Sequence, residues 1–199
     1  MRPPYPPELH DVIGNAAFGP LSPINLRLSL ANHPKLAAAF QTMAHTVLFQ
    51  SEVAARDREI AVIRTGALAR SEYEWGMHVS LYGEQCAFTE AQIQALSLAV
   101  SWADLSDAQW TREEKLIVRM VDELHAHSTV SDATWAGLVK RWPHAQAMEL
   151  LFASAFYRMA ACFLNAAAVP LEAASRRFPS PLSQARAPSD EGLAAQHRQ

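Results

Sequence analysis

In the run SEYEWGMH, from Ser71 to His78, a carboxylate and an imidazole stand four residues apart. On a helix that spacing stacks Glu74 and His78 on one face, about 6 Å apart at Cβ, so a proton could pass between them. Upstream, RDREIAVIRTGALAR is apolar through its middle yet carries Glu59 beside Ile60, Val62 and Ile63. A carboxylate in such surroundings needs a partner. If two helices reverse at Arg70–Ser71 as an antiparallel hairpin, Glu59 returns toward the second or third turn of the next helix, where His78 is the obvious partner. A Glu59–His78–Glu74 cluster would fix the imidazole tautomer and tune its basicity, as general acid/base chemistry requires.

Each of these residues also has a structural reading. Glu74 occupies the reciprocal position of a capping box begun by Ser71 and can satisfy a backbone amide there. Ser71 itself reads as a cap more readily than as a nucleophile, because no activating base precedes it at a fixed spacing. Glu59 can be neutralised by Arg56 one turn earlier, leaving a structural ion pair.

The elements that must position this cluster are helices. Seven prolines lie between Pro3 and Pro34 and none follows until Pro143, so the middle of the chain is free to be helical. Ser71 to Glu74, Thr89 to Gln92 and Thr111 to Glu114 carry the hydroxyl-x-x-Glu/Gln signature of a helix start. Apolar recurrence at i, i+3 and i+4 extends these into helices near 24–31, 34–50, 54–69, 72–83, 90–100, 112–127, 132–141 and 145–168. No segment alternates as a strand. The expected fold is all-α, one helical domain over 23–170, with an extended proline-rich arm over 1–22 and a loose Pro/Ser/Ala-rich tail over 171–199. Gly66 and Gly76, inside predicted helices, allow two backbones to approach closely or leave room for a ligand.

Composition narrows the chemistry further. Half of the 199 residues are hydrophobic, 19% are charged and the formal net charge is −3, so no basic field is present to hold a nucleic acid backbone. Cys86 and Cys162 stand without CxxC or Cys/His metal spacing, and the N-terminus lacks an apolar signal region; both fit a chain that stays in the reducing cytoplasm. The apolar run from Ala145 to Val169 is broken at helical spacing by Glu149, Arg158 and Asn165, so it reads as a buried helix and no membrane partner is expected. His125 and His127 point to different faces of a helix, HExxH is absent, and no metal site is expected.

The run RDREIAVIRTGALARSEYEWGMHVSLYGEQCAFTEAQIQAL, continued by EEKLIVRMVDELHAHSTVSDATWAGL and ending near LNAAAVP, resembles the carboxymuconolactone decarboxylase family, which has an alkylhydroperoxidase D-like fold. The resemblance spans roughly residues 22 to 170. In the family's peroxidase branch a Glu precedes a CxxC pair, and a His follows four residues after the second cysteine. Glu59 and His78 match that Glu and His, but Ser71 and Glu74 stand where the cysteines would be, so the thiol cycle is absent unless the fold brings Cys162 beside Cys86.

Resemblance to the decarboxylase branch implies a cofactor-independent lyase acting on a small carboxylated lactone or related oxygenated compound. It implies His78 as proton donor, Glu59 tuning it, and Glu74 sharing the proton or positioning substrate. Arg158 would hold the substrate carboxylate, unless it pairs with Glu149 or a neighbouring subunit, and Tyr73, Trp75, His45 and Ser71 would border the pocket. A homo-oligomer is expected. The alternatives are a non-catalytic oligomeric ligand-binding protein of the same fold and a peroxidase working without a CxxC pair.

Overall fold

The computed structural model describes residues 24–183, so the arm assigned to 1–22 and the end of the tail lie outside the described residues. Among the described residues all regular structure is helical: α1 (Ile24–Ala31), α2 (Pro34–Phe49), α3 (Ala55–Leu68), α4 (Glu72–Tyr82), α5 (Glu90–Leu98), a 3₁₀ turn (Trp102–Asp104), α6 (Arg112–His127), α7 (Asp132–Arg141), α8 (His144–Ala166) and the single turn α9 (Ser180–Ser183). The expected helices are present with ends displaced by up to two residues. The capping boxes at Thr89–Gln92 and Thr111–Glu114 form as their sequence dictates, each with reciprocal side-chain and backbone bonds.

The centre of the bundle is α3, which packs against α4, α5, α6 and α8. Every residue from Arg58 to Ala67 is buried, and Ile60, Val62 and Ile63 have no exposed surface. Full burial of such a side chain contributes about 1.5–3 kcal/mol. A helix enclosed on all sides must also find partners for its charges. Arg64 Nε donates to Asp122 Oδ1 on α6 at 2.7 Å, and its Nη1 donates to the carbonyls of Leu96 and Ala99. Arg56 donates to Glu114 at 2.7 Å and to the carbonyl of Cys86, and lies over the Phe88 ring. Arg56 is therefore engaged away from Glu59.

The reversal between α3 and α4 falls where the sequence breaks. Ser71 N–H donates to Gly66 O and Arg70 N–H to Ala67 O, the paired bonds that close a helix C-terminus, with Arg70 in the left-handed region at φ 51°. Gly66 permits the tight packing that follows: a Cβ there would lie 3.1 Å from the backbone nitrogen of Trp75.

The chain after α8 departs from the loose tail expected over 171–199. Residues 171–178 fold back onto α4 and α1. Glu172 accepts from Asn25 N–H at 2.7 Å and from the Tyr73 hydroxyl at 2.7 Å. Arg176 N–H donates to Ser80 Oγ, Phe178 N–H donates to Glu72 Oε1, and the Phe178 ring meets Trp75 at 5.1 Å. Composition predicted looseness because Pro, Ser and Ala dominate; three anchoring residues, Glu172, Ser175 and Phe178, bury themselves instead. The second glycine of the hairpin makes this docking possible, since a Cβ on Gly76 would lie 2.2 Å from the Arg176 carbonyl oxygen.

α8 is long and apolar enough by composition to cross a membrane, but half of its most apolar stretch is buried within the protein. Its inner face carries Leu150, Ala153, Phe156, Tyr157, Ala160 and Leu164, while Met148, Phe152 and Met159 remain exposed on the outer face. Gly76→Ala is expected to dislodge residues 171–178 while leaving the bundle helical. Limited proteolysis would show new cleavage there and tryptophan fluorescence would report Trp75 losing Phe178; unchanged protection would contradict this role for Gly76.

Candidate functional site

α3 and α4 bring Glu59, His78 and Glu74 together as the hairpin requires. His78 Nδ1 lies 2.7 Å from Glu59 Oε2, and His78 Nε2 lies 3.3 Å from Glu74 Oε1 on the same helix face. Glu59 is fully buried, and its second oxygen accepts from Arg58 Nε at 3.2 Å. The result is a chain of four groups of alternating charge, Arg58, Glu59, His78 and Glu74, crossing the space between the two helices. Arg58 supplies the second bond to Glu59 that the sequence reading gave to Arg56. Burial alone would lower the basicity of His78, but the charges of Glu59 and Glu74 and their hydrogen bonds outweigh it, and the imidazole is pushed up to about 9.

Ser71 precedes α4 but makes no capping bond, and its buried hydroxyl has no hydrogen-bond partner among the described residues. The capping box read from Ser71 and Glu74 therefore does not form. The charge of His78 draws the Glu74 carboxylate along the helix face, which is the stronger interaction for a mostly buried anion.

Glu74 and His78 lie on the wall of a cavity of about 580 Å³. Leu26 and Leu30 of α1, Ala37, Phe40 and Leu48 of α2, Met77 and Leu81 of α4, and Phe156 of α8 make most of it apolar. Tyr73 and His45 line it as expected, although the buried Tyr73 hydroxyl is already engaged, donating to Glu172 and accepting from the Leu26 amide. His45 is exposed at the α2 side, with its ring 5.3 Å from Phe49.

Three expected pocket residues lie elsewhere. Trp75 is one step around α4 from Glu74, and that rotation sends it into the core, where Nε1 donates to Ser97 Oγ at 2.9 Å. Arg158 follows the inward-facing Tyr157 and for the same reason emerges on the surface, beside the His125 ring. It does not line the cavity. Nor does it pair with Glu149, which accepts from Ser51 Oγ and Glu52 N–H. Ser71 is also absent from the cavity wall.

Sequence reasoning missed three residues around the cluster. Tyr82 stands four residues after His78, with ring centroids 5.4 Å apart, and this spacing was available as a signal. Tyr157 lies edge-on to His78 at 4.6 Å, brought from a helix about eighty residues distant, and no local pattern announces it. Its buried hydroxyl has no partner among the described residues, and burial together with Glu74 and Glu59 raises its pKa, keeping it a neutral phenol. Arg58, the third, is the neighbour of Glu59.

The cysteines do not form a redox pair: Cys86 is buried and Cys162 is exposed, both free. Burial and the nearby Glu59 charge push the Cys86 thiol up to about 11, so it is protonated and unreactive near neutrality.

No protein-family model matches the chain, and no curated protein matches it either. Solved structures do. A peroxidase-related protein from Silicibacter sp. TM1040 superposes with a TM-score of 0.63 over 74% of this chain and 75% of its own, at 14% identity. Another peroxidase-related protein, from Ralstonia eutropha JMP134 and described as an alkylhydroperoxidase AhpD core, gives 0.59 over 83% and 82%, at 16% identity. The fold is alkylhydroperoxidase D-like. At these identities the likeness carries the architecture alone, and the chemistry rests on the residues of this chain.

The raised pKa of His78 has a consequence for stability. Between its ordinary 6.5 and about 9, the folded protein holds a proton that the unfolded chain releases. The resulting stabilisation is full below pH 6.5 and is lost as the pH rises through 9, by on the order of 3 kcal/mol. Urea unfolding across this window should show that decline in the parent protein and its loss in His78→Gln; parallel profiles would contradict the assignment.

Proposed function

We propose that the protein is a cofactor-independent proton-transfer enzyme of the lyase or isomerase type, working on a small oxygenated molecule held in the His78 cavity. The observation that carries this reading is the placement of an imidazole and a carboxyl group, His78 and Glu74, side by side on the wall of a largely apolar cavity. A general acid whose pKa lies somewhat above neutrality retains its proton between turnovers and can give it up to a developing carbanion. Glu59 and Arg58 are anchored behind it, away from substrate, and hold the imidazole in place.

The specific reaction we propose is decarboxylation of a carboxylated lactone, the chemistry implied by the family resemblance. The bond between the ring carbon and its carboxylate breaks, carbon dioxide leaves, and the electron pair remains as an enolate. His78 delivers its Nε2 proton to that carbon directly or through Glu74, and water restores the proton. Arg158 lies too far around its helix to hold the substrate carboxylate; Arg27 is the arginine among the residues that line this cavity. The small-molecule partner is thus met by the bundle's own residues. Self-association of the chain belongs to the same proposal, with exposed apolar side chains away from the α8 start, such as Met159, available for it; sedimentation would detect it as a species larger than one chain.

The test is turnover of carboxylated lactones followed by ultraviolet absorbance. His78→Gln is the informative variant, because its amide fills much of the space and can still donate a hydrogen bond to one of the two carboxyl groups, whereas His78→Ala leaves both without a donor. Loss of roughly 10²-fold or more in kcat is expected for His78→Gln and for Glu74→Gln. Full activity in His78→Gln would rule out the assignment, and binding without turnover in the parent protein would favour a non-catalytic ligand-binding role.

A further inference from the structure

A second cavity, of about 380 Å³, lies where the end of α2, the Ser51–Val53 linker and the start of α8 converge, apart from the His78 cavity. Its walls are mostly apolar, with Val47, Val53, Leu150, Phe152 and Ala153 among them. The one cationic group that lines it is Arg58. This side chain is only 8% exposed, and its Nε is committed to Glu59. The two terminal nitrogens have no hydrogen-bond partner among the described residues. A guanidinium carries five N–H donors, so four of them have no acceptor among the described residues.

We propose that this second cavity is a binding site for a small monocarboxylate with an apolar body, its carboxylate gripped by the two terminal nitrogens of Arg58 and its body resting on Val47, Val53 and Phe152. The planar fork of a guanidinium matches the two oxygens of a carboxylate and makes a pair of parallel charge-assisted bonds. A single negative charge suits the site better than two. Arg58 is already shared with Glu59, and Glu149 brings a further carboxylate to the wall, satisfied by Ser51 Oγ at 2.5 Å and the Glu52 amide at 2.9 Å. A dianion or a phosphate would meet that carboxylate without a second cation to offset it. The hydrocarbon walls then select the rest of the ligand.

The site also reaches the His78 cluster. Arg58 holds one oxygen of Glu59 and His78 holds the other, so a carboxylate that draws on Arg58 leaves Glu59 to lean more heavily on the imidazole. Occupancy of the second cavity would thus be felt at the first through three bonded groups, whatever reaction His78 serves.

Benzoate is a suitable probe, titrated into the full-length protein by calorimetry. Saturable binding in the millimolar range or tighter is expected, with benzamide, the uncharged counterpart, and phthalate, the dianion, at least about tenfold weaker. Arg58→Gln should lose binding. Because that variant also deprives Glu59 of a partner, Ala145→Trp serves as a second arm: Ala145 is exposed on the cavity rim, and the larger ring fills the entrance with Arg58 intact. It should lose binding with an unchanged circular dichroism spectrum. Benzoate binding that survives both substitutions would place the ligand elsewhere and overturn the proposal. Equal affinity for benzamide, or no heat at millimolar benzoate because the site is closed or a second copy of the chain covers it, would overturn it too.

Discussion

A carboxyl group with no exposed surface sits about one turn into the central helix, and the packing around it gives both of its oxygens a partner. Leaving an ionised group unpaired in an apolar interior costs several kcal/mol or drives it to take up a proton. Glu59 is not left unpaired: it receives Arg58 on one oxygen and His78 on the other. Arg58 comes from the same helix and needs only its own rotamer. His78 comes from the next helix, so its bond exists only if α3 and α4 reverse at the right residue and lie close together. The paired bonds at Arg70 and Ser71 set the reversal, and the absence of a side chain at Gly66 sets the separation.

The same logic governs the other charges of α3. Arg56 reaches Glu114 and Arg64 reaches Asp122, both on α6, and Asp57 accepts from the indole of Trp142 after α7. A buried helix with this many polar groups gains little net stability from each pair, since desolvation offsets much of the attraction. Each pair instead ties α3 to one neighbouring segment at one register. Of these ties only the Glu59–His78 bond ends at a cavity, and it leaves Nε2 of the imidazole facing Glu74 on the cavity wall. The structural ties and the site are therefore built from one set of interactions, and the site differs in having space in front of it.

Much of the architecture was legible because helix periodicity and capping are local. The Thr89 and Thr111 boxes form as written, and the Glu59–His78 pairing follows from an acid that directly precedes the apolar run of one helix and a neighbouring helix that contains one base. What failed did so for reasons of rotation and competition. Trp75 and Arg158 sit one residue from cavity-lining positions, and 100° of helix turn takes them to the core and to the surface. Ser71 and Glu74 match a capping box in sequence, yet the nearby imidazolium competes for the carboxylate and prevails. The segment after α8 has the composition of a loose tail, but Glu172 and Phe178 find partners on α1 and α4 that no local window reveals. Tyr157 reaches His78 by tertiary packing alone.

The central claim is that His78 stays protonated between two carboxylates through neutral pH. Nitrogen-detected NMR of the histidine rings, followed across a pH titration, observes this directly. Both nitrogens of His78 should carry protons from pH 6.5 upward and lose one only near 9. A His78 ring that is already neutral at pH 7, titrating at or below its ordinary 6.5, would contradict the account.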